Sequence, residues 1–85
     1  MKSVVEISLY PLNQKYLAPI QDFIDRLNSY SQLTTSTSDT STIVRGDMTE
    51  LMGILNTEMQ KTYEQVGQAI FVCKFLNGDA MGESK

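Results

Sequence analysis

Apolar and polar residues alternate from Val4 to Leu12, with Val5, Ile7 and Leu9 set against Glu6, Ser8 and Tyr10 until Pro11 interrupts the run. A period of two is the pattern of a strand with one buried face. The spacing then changes. Leu17, Ile20, Phe23, Ile24 and Leu27 recur three and four apart, which predicts an amphipathic helix over roughly Lys15 to Tyr30, with Pro19 accommodated in its first turn. A second helix is predicted from Met48 to Val66. Asp47 followed by Glu50 makes a capping-box-like start, Leu51, Leu55, Met59, Thr62 or Tyr63, and Val66 mark the apolar face, and Gly67 ends it. The run AIFVCKF, Ala69 to Phe75, is short, β-branched and aromatic and closes on Asn77-Gly78-Asp79, so it predicts a last strand.

Between the helices lies TTSTSDTST, residues 34 to 42, in which every position but Asp39 is Ser or Thr. A disordered linker would carry Pro, Gly or Glu and would not run directly into the apolar Ile43-Val44, whereas Thr is β-branched and suits a strand. The stretch therefore predicts a hairpin: Leu33 to Ser38 as one strand, Asp39-Thr40 as the turn, and Ser41 to Arg45 as the return.

The resulting order is strand, helix, strand, strand, helix, strand. That is the α+β, ferredoxin-like βαββαβ sandwich, a four-stranded antiparallel sheet with two helices on one face, filling residues 1–79 as a single domain. The remainder, residues 80–85, reads as a flexible tail. Val4-Val5, Ile43-Val44 and Ile70 to Cys73 put apolar groups on both faces of the sheet. Two helices cover only one of them, so the other requires a second subunit. If Val5, Ile7 and Leu9 face the helices, Glu6, Ser8 and Tyr10 point into that interface, beside alternate hydroxyls of the Ser/Thr strand, of which Thr35 and Thr37 are the candidates. A carboxylate is costly to bury unpaired, so a polar pocket there suits a small cationic or hydrogen-bonding ligand.

Composition narrows the chemistry. The 85 residues are 41% hydrophobic and 20% charged, ordinary values for a folded chain with a small core. No apolar run reaches the roughly 18 to 20 residues of a membrane span, and the start lacks a signal-peptide pattern, so the expected location is the cytoplasm. With no His and one Cys, a zinc site, a His-based triad or an internal disulfide is out of reach of a single chain. A net charge of −3 with seven scattered Lys and Arg argues against nucleic acid or an anionic membrane as partner. Neither a resident metal nor a cofactor is expected.

Each candidate also has a plain structural reading. Glu6 can pair with Lys74 or Arg45 across the sheet. Tyr10 can simply pack, the hydroxyl ladder can be a solvated edge strand, and Asp47 fits a helix cap better than a ligand group. Cys73 reads as a small core residue, and Met48, Met52 and Met59 as core or interface filler.

The segments ISLYPL, Tyr16, IQDFIDRL, TSTSDTSTIVRGD and AIFVCKFLNGD, in this order and spacing over residues 3 to 79, resemble the YkoF-like thiamine-binding proteins. The resemblance implies a ferredoxin-like domain that associates through its sheet into homodimers or homotetramers and binds thiamine or its hydroxymethylpyrimidine moiety without a known reaction. Some members carry two such domains in tandem, and here two subunits would replace the repeat. The expected function is thus a non-catalytic carrier or sensor. The alternatives are a module that only oligomerises, and an enzyme working through a lone carboxylate such as Glu6.

Overall fold

The structure, a computed structural model, describes residues 1–78; the tail expected at 80–85 lies outside them. Its elements run β1 (Lys2–Pro11), α1 (Leu17–Asn28), β2 (Thr34–Thr37), β3 (Thr42–Asp47), α2 (Met48–Val66) and β4 (Ala69–Asn77). The four strands form one antiparallel sheet in the order β2-β3-β1-β4, the α+β ferredoxin-like arrangement expected.

Both helices lie on one face of this sheet. Val5, Ile7 and Val44 from the strands meet Phe23 and Leu27 of α1 and Leu51, Ile54 and Leu55 of α2 in one buried cluster, with Leu9, Phe71 and Cys73 packed against it. Burial pushes the Cys73 thiol up from its ordinary value, as for a cysteine used as a small apolar side chain.

Helix α2 has the expected limits because its ends are chemically marked. The Glu50 amide donates to Asp47 Oδ2 at 3.3 Å, the N-terminal ammonium sits 3.1 Å from Asp47 Oδ1, and Gly67 closes the helix with φ 78°. These contacts hold the Asp47 carboxyl below its ordinary value, the ammonium contact first and the helix amide next. Helix α1 is two residues shorter at each end than the periodicity suggests, since Tyr16 provides no side-chain cap and Ser29 turns its hydroxyl back onto the Arg26 carbonyl at 2.6 Å.

The inward face of α2 differs from the expected one. Leu51, Leu55 and Thr62 are buried as anticipated, but Ile54 and Glu58 complete the face, while Met59 is only partly buried and Met48 and Met52 are exposed. The helix is rotated so that Glu58 meets α1. There the Arg26 guanidinium donates to Glu58 Oε1 at 2.6 Å and Tyr30 Oη to Oε2 at 2.5 Å, while a second guanidinium nitrogen reaches Thr62 Oγ1 at 2.8 Å.

The other face carries Val4, Glu6, Ser8 and Tyr10 of β1 beside Leu76, Lys74, Val72 and Ile70 of β4, their register partners. Ile70 and Val72 are 50% and 46% exposed, so an apolar strip on the β4 edge is open to solvent. No described helix is long and apolar enough to cross a membrane.

Candidate functional site

The hairpin that holds the Ser/Thr stretch turns at Asp39-Thr40, as expected, although neither residue adopts the positive φ that two-residue hairpin loops usually need. Serine chemistry replaces that geometry. The Ser38 amide donates to the Ser41 carbonyl at 2.9 Å, and the Ser38 hydroxyl accepts from the amides of Thr40 and Ser41 at 3.4 and 3.3 Å. A side-chain oxygen thus stands in for a backbone acceptor and lets an Asp-Thr tip close without glycine.

This turn overhangs the amino-terminal half of α1, and between them opens a cavity of about 480 Å³, within the range of about 300 to 1,000 Å³ usual for small-molecule sites. Ile7 and Leu9 of β1 and Ile20, Phe23 and Ile24 of α1 give it an apolar floor. Tyr10 and Tyr16, both about half exposed, stand beside it. Pro11 adds to the β1 side, and the polar wall is formed by residues 37 to 42. Phe23 is packed against Phe71, ring centroids 5.1 Å apart, and against the Arg26 guanidinium, 5.9 Å from its ring centre. The space exists because Ser and Thr side chains are too short to fill the volume beside Ile20 and Ile24.

Sequence reasoning set the polar pocket in the open face of the sheet; this cavity is on the helix side. The five candidate residues divide accordingly. Thr37 lines the cavity from the helix-side face, and Tyr10, although it alternates onto the far face, borders it where β1 ends at Pro11. Thr35 shares the helix-side face but is absent from the lining, and its Oγ1 is buried with no hydrogen-bond partner among the described residues. Glu6 and Ser8 lie on the far face. They touch the site from behind: Ser8 Oγ donates to the Thr40 carbonyl at 3.2 Å, and Ser41 Oγ donates to Glu6 Oε2 at 3.0 Å. The expected pairing of Glu6 with Lys74 is present, at 3.8 Å between a partly buried carboxylate and an exposed ammonium.

The grouping of Thr35 and Thr37 with Glu6 is therefore corrected by the register. Thr35 is opposite Val44 and Thr37 opposite Thr42, while Val44 and Thr42 are opposite Val5 and Ile7, which face the helices. Thr34 and Ser36, opposite Arg45 and Ile43, share the Glu6 face. The residues that sequence reasoning passed over are Ile20, Phe23 and Ile24 as the cavity floor, and Ser38 to Ser41 as its rim. Their signal was the same Ser/Thr stretch, read at its tip instead of along its strands.

A second depression, about 490 Å³, lies at the other end of the sheet around Met1, Gln32 and Gly46. It has no aromatic floor.

A profile of the YKOF-related family matches residues 2–78. Among solved structures, protein SP2199 of Streptococcus pneumoniae superposes with a TM-score of 0.86 at 23% identity, covering 96% of this chain and 92% of its own. A "putative thiamine biosynthesis/salvage protein" of Thermotoga maritima gives 0.82 at 16% identity, with 99% and 90% covered. Hypothetical protein MJ1052 of Methanocaldococcus jannascii gives 0.79 at 19%, with 98% and 87% covered. At these identities the likeness is one of fold. No curated protein matches the chain. With the profile spanning nearly its whole length, the chain belongs to the YKOF-related family.

Proposed function

We propose that this member of the YKOF-related family is a non-catalytic binding protein for thiamine or a related hydroxymethylpyrimidine, that the cavity between α1 and the hairpin turn holds the ligand, and that chains associate through the open sheet face. The observation that carries the reading is the cavity's division into an apolar, partly aromatic floor and a hydroxyl-and-carboxylate rim. Such a site suits a flat heteroaromatic ring bearing an amino group, with the ring on the floor and the amine at the rim. The name of the Thermotoga maritima protein points to the same vitamin. Exposed Ile70 and Val72 supply the reason for association.

Calorimetric titration with thiamine and with hydroxymethylpyrimidine tests it. Saturable binding of either one, lost on Ile20→Asp, is expected. Absence of heat at millimolar ligand, with the protein folded and assembled, would leave a purely structural, oligomerising module in its place.

A further inference from the structure

Resting on that reading, we infer that the site selects unphosphorylated, cationic or neutral ligands that donate hydrogen bonds, and rejects their phosphate esters, with Asp39 as the residue that sets the preference. Asp39 is the one charged residue among the described residues lining the cavity. No Lys or Arg is among them. Phosphate sites in proteins are built from guanidinium and ammonium groups or from converging amides, and this rim offers a carboxylate where such a donor would have to be.

The hydroxyls add to the bias. A carboxylate can only accept, so the proton of Ser41 is committed to Glu6 across the 3.0 Å contact, which leaves Ser41 none to offer a ligand. The Ser38 hydroxyl donates to the Ser41 carbonyl at 3.3 Å, so its proton is also spent inside the turn. Two of the rim's hydroxyls thus have no proton to offer a phosphate, whose oxygens can only accept. The opposing feature is the start of α1, whose dipole places about half a positive charge near Tyr16. It is weaker than a full carboxylate, and Pro19 in the first turn removes one of the amides that would reach an anion.

The experiment is a titration of the full chain with thiamine, thiamine monophosphate and thiamine diphosphate at low salt, repeated with Asp39→Asn. Asp39 is exposed at the turn tip, so the variant is expected to fold. Affinity should fall from thiamine to its diphosphate by about 5- to 30-fold, the size expected for one carboxylate acting across roughly 8 Å of partly solvated space. Raising the salt to about 0.5 M should compress the difference. In Asp39→Asn, thiamine should bind more weakly and the difference between the two should shrink to about threefold or less. Equal or tighter binding of the diphosphate by the unaltered protein, or an unchanged ratio in Asp39→Asn, overturns this inference and leaves the proposed function standing. Failure of all three compounds to bind overturns both.

Discussion

Ser41 and Glu6 are joined at 3.0 Å through the seam of the sheet, so the turn that walls the cavity on the helix side is fastened to a carboxylate on the opposite side. Glu6 acts on the site through that hydroxyl and has no place in the lining itself. Glu6→Gln keeps an acceptor for Ser41 and gives up only the contact with exposed Lys74, of a kind that contributes about 0 to 1 kcal/mol; thiamine affinity should stay within about threefold. Glu6→Leu removes the acceptor, and the loosened turn should weaken binding by about 2- to 12-fold, the equivalent of one ordinary hydrogen bond. Isothermal titration of both variants decides the matter, and a large loss in Glu6→Gln alone would place the charge in direct contact with ligand.

The open face sets the second prediction. Ile70 and Val72 sit two residues apart on β4, on the side no helix covers. Sedimentation should find a dimer or tetramer whose contact buries more than about 1,200 Å². Val72→Lys should shift the protein toward monomer with its fold intact, because a charge would be enclosed without a partner. A monomeric unaltered protein at tens of micromolar would contradict this.

Thr35 and Thr37 make a paired test. Thr35 Oγ1 is buried without a partner among the described residues, and Thr37 Oγ1 faces Thr42 Oγ1 at 3.4 Å on the cavity wall. Thr35→Val discards an unsatisfied hydroxyl in an isosteric exchange and should raise Tm, by on the order of 4 °C for a domain of this size. Thr37→Val should leave Tm nearly unchanged and weaken thiamine binding by about 2- to 12-fold. Ser36→Ala, on the far face, should do neither. Equal losses of affinity from Thr35 and Thr37 would mean that the register does not describe the ligated protein.

These residues also mark where the sequence stops being informative. In β1 the alternation has a phase, because Val5, Ile7 and Leu9 are apolar and Glu6 and Ser8 between them are not; the buried face could be read directly. In β2 every residue is Ser or Thr, and a pattern of period two drawn in one kind of letter has no phase, so the strand was legible but its facing was not. Asp47, Glu50 and Gly67 announced both ends of α2 through capping chemistry, whereas α1, with no side-chain cap at Tyr16, was overextended. Glu58 was hidden differently. It falls on the same stripe as Leu51, Leu55 and Thr62, and a charge in an apolar stripe is readable only when its partners are known. Arg26 and Tyr30 lie 32 and 28 residues away.

That buried group carries the last prediction. Glu58 is 1% exposed. Burial pushes its carboxyl up, but the hydrogen bonds from Tyr30 and Arg26, with the nearby charges of Lys61 and Arg26, more than offset this and hold it below the ordinary carboxylate range. Its contribution to stability is thus complete above the unfolded value of about 4.3 and is lost as pH falls through the lower native value. Tyr30 moves the other way: its bond to Glu58, then burial and the Glu58 charge, keep the phenol protonated, a contribution present below about pH 10 and lost as pH rises through the raised native value. Arg26→Met would leave the carboxylate enclosed with only part of its compensation. It should cost about 3 kcal/mol at neutral pH, roughly 12 °C or more in Tm, with a smaller deficit in acid, where Glu58 is neutral in either protein. Pairing it with Glu58→Met should recover most of the loss, because two apolar side chains need no compensation. Denaturant unfolding of the single and double variants between pH 3 and 7 reads all of this, and a deficit in Arg26→Met independent of pH would show that lost packing, not the stranded charge, is the cause.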